Sequence, residues 1–312
     1  MGLILQVSNL SKSFGKKEVL KNINLDIQKG EIFGIVGGSG VGKTVLLKTL
    51  IGFIKPNKGI ILYENIDIQK RLNYIRRIFG FSTQEHCFYP ELSVKENINY
   101  FGKIYRVKNN DLKRNSEIFF RLLELDEYKN IIAKNLSGGT QRRLDIYCSM
   151  VHSPKILLLD EPLSGLDPIL RKKIINILKE INKLGITIII SSHYLEELED
   201  FCSRIAVLNK GMVVTCDAPK NIIDRYAPYT IISIISEPGN YSNILKVLNL
   251  NNINLINFEI TSNGLILHIP REIDKLLFYR ILNLISQSGE TIKGINYNLP
   301  RLNEIFEKLV EH

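Results

Sequence analysis

No stretch of this 312-residue chain approaches eighteen consecutive apolar residues; runs such as Ile156 to Leu159 and Ile188 to Ile190 are too short to cross a bilayer. The opening Met-Gly-Leu-Ile-Leu-Gln lacks the basic region and cleavage site of a secretory signal and leads into strand-like alternation. The expectation is a chain that is soluble by itself. Cysteine is scarce: Cys87, Cys148, Cys202 and Cys216 are scattered, with no CxxC pair and no histidine at ligand spacing. That argues against a metal ribbon or a disulfide framework and reads as reduced thiols of a cytoplasmic protein. No basic stripe with interleaved aromatics stands out, so no nucleic acid partner is expected.

What is present is enough apolar material, 45% of residues, for full cores in two domains. The net charge of +9 is unevenly placed. Residues 1–228 carry 34 Lys and Arg against 24 Asp and Glu, whereas 229–312 carry 7 against 8. That break marks a domain boundary. A basic first part suits ATP or an anionic membrane surface; plain solvation by surface lysines is the blander reading.

The most informative run is Gly37-Gly38-Ser39-Gly40-Val41-Gly42-Lys43-Thr44, directly behind the apolar strand-like Ile32 to Val36. A strand feeding GxxxxGK[ST] and then a helix forms a phosphate cradle. Backbone amides of the turn and the positive helix end can wrap a polyphosphate where side chains do not obstruct them. Lys43 would lie on the outer phosphates and Thr44 would place its hydroxyl on Mg²⁺. Val45, Leu46, Leu47, Leu50 and Ile51 form one apolar helical face, with Gly52 as its C′ residue. Downstream, the buried strand Ile156 to Leu159 ends in Asp160-Glu161-Pro162. Asp160 can hold the metal, and Glu161 can deprotonate an attacking water.

Between these lies Asn135-Leu136-Ser137-Gly138-Gly139-Thr140-Gln141-Arg142-Arg143. With this run the chain resembles the ATP-binding cassette (ABC) ATPases, whose LSGGQ-like signature it departs from only in having Thr140 before Gln141. The 94 positions from Lys43 to Ser137 and 23 from Ser137 to Asp160 match a transporter cassette, with no room for a long coiled-coil insertion. The resemblance spans residues 3 to about 225 and implies further roles. Phe14 matches an adenine-stacking aromatic, which without the resemblance reads as a core residue. Gln84, after the strand-like Ile78 to Phe81, matches the glutamine that touches Mg²⁺ and the nucleophilic water, although Ser82-Thr83 depart from the usual valine or proline. Ser164-Gly165-Leu166-Asp167 matches the D-loop, and Asp167-Pro168 also reads as N-cap and N1 of a helix. His193 matches a histidine that contacts the γ-phosphate.

The implied fold is α/β: a P-loop cassette with a RecA-like core, an antiparallel β subdomain and a helical subdomain over about 85–150, followed by a small C-terminal α+β domain. Ser93-Val94-Lys95-Glu96 reads as a capping box. Glu85-His86-Cys87-Phe88-Tyr89-Pro90 is either a contact surface for a membrane subunit or a turn with buried aromatics. After Pro228, strands at Thr230–Ile235, Ile253–Glu259, Leu265–Ile269 and Thr291–Asn296 and helices at Tyr241–Leu248 and Asp274–Ser288 spell βαββαβ. A last helix puts Leu302, Ile305, Phe306 and Leu309 on one face, and Pro300 to Phe306 looks like the closing motif of drug- and polyketide-export cassettes of the daunorubicin-resistance type.

The resemblance thus implies an ATPase using ATP and Mg²⁺, peripheral on the cytoplasmic face of the membrane. It would work with a membrane-spanning permease as a homodimer or as a heterodimer with a second cassette. Glu161, His193, Gln84 and Lys43 are the catalytic candidates. Phe14, the loop Gly37 to Thr44, and Ser137, Gly138, Gly139, Gln141 and Asp167 bind nucleotide; Thr44, Gln84 and Asp160 take the metal. An importer cassette and a soluble ATPase acting on nucleic acid or ribosomes are the rival readings.

Overall fold

The computed structural model describes residues 2–193, 195–227, 229–262, 264–270 and 275–311, the last five of these and Lys275 as backbone only. The chain divides into two compact units, Met1–Pro219 and Lys220–His312.

In the first unit, β1 (Leu3–Phe14) and β2 (Lys17–Gln28) form a long antiparallel hairpin. Next come β3 (Ile32–Val36), buried at every position, and α1 (Lys43–Leu50). β4 (Lys58–Tyr63) and β5 (Ile66–Asp67) complete a four-stranded antiparallel sheet in the order β2-β1-β4-β5. After α2 (Leu72–Ile78) and β6 (Phe79–Ser82) come three helices: α3 (Val94–Ile104), α4 (Asn109–Leu122) and α5 (Gly138–Met150). The remaining elements are β7 (Ile156–Asp160), α6 (Pro168–Lys183), β8 (Thr187–Ser192), α7 (Leu195–Glu199), β9 (Arg204–Asn209) and β10 (Met212–Asp217); the unit ends at Pro219, the first residue of α8 (Pro219–Tyr226), whose other residues belong to the second unit.

The second sheet runs β10-β9-β3-β8-β7-β6, parallel except for β10. Its central strands are continuous apolar runs because both faces are covered. The helix α1 contributes Leu46, Leu47 and Leu50, all fully buried, to one core shared with residues of both sheets, including Leu5, Leu20, Phe33 and Leu158. Each such leucine contributes about 1.5–3 kcal/mol. That burial fixes the position of the helix whose N-terminus faces the glycine loop. The capping box at Ser93 is present in full, with Glu96 bonded back to the Ser93 amide at 2.8 Å.

The second unit contains β11 (Tyr229–Glu237), α9 (Tyr241–Leu250), β12 (Asn257–Thr261), β13 (Gly264–Pro270), α10 (Lys275–Gln287), β14 (Thr291–Asn298) and α11 (Leu302–Glu311). The sheet is antiparallel in the order β12-β13-β11-β14, the split βαβ arrangement. Ile232, Ile234, Leu265, Leu267 and Ile269 form one face of it, buried with Ile244 and Leu248 of α9 and Ile281 and Ile285 of α10.

Two sequence expectations shift. Ile78 ends α2 rather than opening a strand, since Arg76 and Arg77 continue the helix to the edge of β6. The strand expected from Ile253 begins only at Asn257, because Ile253 is buried in the core as a loop residue after α9. Leu302 and Ile305 are buried on one face of α11, whereas the Leu309 side chain and the Asp274 start of α10 lie outside the described residues.

Candidate functional site

A cleft of about 600 Å³ opens at the carboxyl ends of the parallel strands, where ligands of open α/β sheets bind. It is lined by Ser39, Gly40, Gly42, Lys43, Thr44 and Val45 of the loop and α1, by Lys17 and Val19 of β2, and by Gln84, Glu161 and His193. Gly40 and Gly42 adopt φ of +74° and +113°, so only glycine holds this loop without strain. Gly42 is the N-cap of α1 and supplies no side-chain cap, which leaves the amides of the first turn for an anion. Gly37 is required for a different reason. A Cβ there would sit 2.3 Å from the Leu208 carbonyl oxygen of β9.

Lys43 is buried and its Nζ donates to the Gly37 carbonyl at 2.8 Å and the Gly38 carbonyl at 3.1 Å, and pairs with Glu161 Oε1 at 3.1 Å. The other oxygen of Glu161 meets His193 Nδ1. Glu161 itself sits at φ +52°, left-handed backbone that a glutamate adopts only when its surroundings hold it there. The holding group is Ser191. Its hydroxyl donates to Asp160 Oδ1 at 2.7 Å and accepts from the Glu161 amide at 3.0 Å. The parallel register of β7 and β8, which pairs Asp160 with Ser191, makes that bridge possible. Thr44 and Gln84 line the cleft, whereas Asp160, buried at the end of β7, does not; hydroxyl, amide and carboxylate oxygens are the donors a hard divalent cation takes.

The segment after β6 is tied to α5. Arg142 donates to the Thr83 and Gln84 carbonyls at 3.2 and 3.3 Å, while Asp145, fully buried, accepts from the Cys87 amide at 2.9 Å and meets His86 Nδ1. Burial and the Asp145 carboxylate push the Cys87 thiol up, so it stays a neutral packing group. Of the aromatics in the Glu85–Pro90 stretch, Phe88 is buried and Tyr89 is exposed against Tyr100.

The remaining nucleotide-binding candidates lie outside the cleft of their own chain. Ser137 caps α5, Gly138 is exposed, and Gly139 packs where a Cβ would be 2.9 Å from both Leu170 methyls of α6. Gln141 turns back to the Ala133 carbonyl, at 3.2 Å. Asp167 caps α6 through the Ile169 and Leu170 amides. Phe14 is half exposed at the end of β1, with the Lys12 ammonium 5.0 Å over its ring.

Comparison with known proteins agrees with this geometry. The ABC transporter family profile matches residues 20–164. The linearmycin resistance ATP-binding protein LnrL of Bacillus subtilis is 30% identical over 251 residues, 80% of this chain and 81% of that protein. This chain belongs to the ABC transporter ATP-binding family. The cassette is an ATPase that drives transport. It is also 36% identical to the spermidine/putrescine import protein PotA of Bacillus thuringiensis, across 79% of this chain and 74% of that protein. Among solved structures, cbiO1 of Clostridium perfringens, part of the ABC transporter complex cbiONQ, matches 81% of the cassette chain and 96% of its own, at a TM-score of 0.67 and 28% identity. Cassettes of this family work with permease subunits and dimerise. No described helix is long and apolar enough to cross a membrane.

Sequence reading did not single out Lys17 and Val19, which reach the cleft from the neighbouring sheet, or Ser191. For Ser191 the only signal was its place at the end of an apolar strand.

Proposed function

We propose that this cassette is the ATP-hydrolysing subunit of an exporter, peripheral on the cytoplasmic face of the membrane, acting on a separate permease through ATP-driven head-to-tail dimerisation. The observation that carries the reading is the Glu161 carboxylate held between Lys43 and His193 at the mouth of the glycine loop. A triphosphate in the loop offers oxygens to the ammonium that now binds Glu161. Nucleotide therefore competes for Lys43 and frees the carboxylate to take a proton from water as that water attacks the γ-phosphorus and ADP leaves. In this reading His193 contacts the same γ-phosphate and Phe14 stacks on adenine, as the family resemblance implies. Thr44, Gln84 and Asp160 would hold Mg²⁺, which when bound neutralises charge on the β- and γ-phosphate oxygens.

Ser137, Gly138, Gly139 and Asp167, none of which lines the cleft of its own chain, complete the site of a second copy or of a paralogous cassette. The Ser137 hydroxyl and the positive end of α5 are donors suited to a γ-phosphate. Supporting the exporter direction are the likeness to a resistance protein and the C-terminal unit with its Pro300 to Phe306 motif. The test is Glu161→Gln. It should retain ATP, run as a dimer with Mg-ATP in light scattering, and lose about 10²–10⁴-fold in turnover; unchanged turnover removes Glu161 from the base role. The likeness to an import protein supports a second reading. With the co-purified permease in proteoliposomes, hydrolysis that requires an added external solute-binding protein identifies an importer.

A further inference from the structure

We infer that Thr140 is a positioning residue that aims the Ser137 hydroxyl proton outward, at the triphosphate held by the other copy of the cassette. The inference rests on the two-copy site proposed above and concerns the one position at which the signature departs from its family pattern. Thr140 is almost fully buried, at 2% exposure, and its Oγ1 has two polar side-chain neighbours. Arg143 Nη2 lies at 2.9 Å and Ser137 Oγ at 2.9 Å.

The guanidinium can only donate, so one lone pair of Thr140 Oγ1 is taken by Arg143. Arg143 cannot turn away, because its Nη1 is bonded to the Leu123 and Glu124 carbonyls at 3.0 and 2.9 Å. The Thr140 proton then needs an acceptor, and Ser137 Oγ is the side-chain acceptor beside it. If Ser137 donated inward instead, a buried hydroxyl proton would be left without a partner, the costlier arrangement. Ser137 Oγ thus accepts from the Thr140 hydroxyl and, at 3.4 Å, from the Thr140 amide. Both of its lone pairs are directed inward. Its own proton points out of the helix, where an anionic oxygen is the matching acceptor. A chain of donors running Arg143, Thr140, Ser137 polarises each successive hydroxyl in the same sense.

The experiment measures the Mg-ATP-dependent dimer dissociation constant by analytical ultracentrifugation in a Glu161→Gln background, together with fluorescent ATP binding to the monomer. Thr140→Val, which removes the hydroxyl and keeps the shape, should raise the dimer dissociation constant about tenfold, or about 1.4 kcal/mol. Monomer affinity should stay unchanged, since Thr140 does not line its own chain's cleft. Thr140→Ser should restore dimerisation, and in a Ser137→Ala background Thr140→Val should add nothing. With the base intact, Thr140→Val should lower kcat more than it raises KM. The inference is overturned if Thr140→Val dimerises normally, if Thr140→Ser is equally impaired, or if the loss persists undiminished without the Ser137 hydroxyl. Should Thr140→Val lose its cooperative melting transition, Thr140→Ala carries the same set of comparisons. Failure of Glu161→Gln itself to dimerise with Thr140 present refutes the two-copy reading, and this inference with it.

Discussion

Replacing Gly37 by alanine should damage the cassette far more than replacing Gly38, although the two are adjacent in one loop. A Cβ at Gly37 would lie 2.3 Å from the Leu208 carbonyl oxygen and 2.8 Å from Val41 Cγ2. Ordinary contact begins near 3.4 Å, so the loop or the strand must move by about 1 Å. Val41 can rotate, but Leu208 cannot yield easily. It belongs to β9, which is paired with β3 on one side and β10 on the other. Overpacking of this kind costs about 1–3 kcal/mol, and a backbone obstacle places it at the upper end. For a unit of this size that is a fall of about 6–12 °C in the cassette's melting temperature. The same shift displaces the carbonyl that receives Lys43, and a 1 Å error at a phosphate cradle lowers activity about 10²-fold. A Cβ at Gly38 meets only Val41 Cγ1, at 3.8 Å, so Gly38→Ala should stay within about 0.5 kcal/mol. Differential scanning fluorimetry and fluorescent ATP binding decide the matter. A Gly37→Ala variant within 2 °C and threefold of wild type, on the scale of the estimates above, would refute the packing argument.

Two further outcomes are expected. Asn97, fully buried, accepts from the Tyr89 amide at 2.7 Å and donates to the Tyr89, Leu92 and Ser93 carbonyls. Asn97→Ala should cost about 2–3 kcal/mol and speed cleavage by a glutamate-specific protease at Glu85 and Glu91; an unaltered cleavage rate removes Asn97 as the organiser of that turn. In the second unit, burial pushes the Glu290 carboxyl up, but bonds from Ser236 Oγ, the Gly239 amide and the Asn240 amide outweigh it and hold the group below the usual glutamate range. The stabilisation is therefore complete above the ordinary value and lost as pH falls through the depressed one. Glu290→Gln should be less stable than wild type at pH 7, with the difference shrinking below about pH 4; a pH-independent difference contradicts the assignment.

The fold and the cleft were legible where chemistry is local. The glycine loop, the Asp160-Glu161 strand end, the Ser93 capping box and the Asp167-Pro168 helix start each depend on residues within a few positions of one another, and each stands where the sequence puts it. Long-range pairing was not legible. Ser191 reaches Asp160 only because β8 lies beside β7, and Arg142 finds the Thr83 carbonyl across 59 positions. Ile78 and Ile253 were misplaced because an apolar residue at the end of an element serves helix, loop or strand equally well until its packing partners are known.

The rod formed by α5 has a consequence for timing. Its tip carries Ser137, which does not line the cleft of its own chain, while its shaft grips the Gln84 segment through Arg142 and Asp145. If that tip docks on a second copy as proposed, a pull on it reaches the Gln84 segment of its own chain through these bonds. In a closed pair the two pockets would therefore fire in step or in strict alternation, never as independent clocks, and a pair with one disabled pocket would run well below half speed.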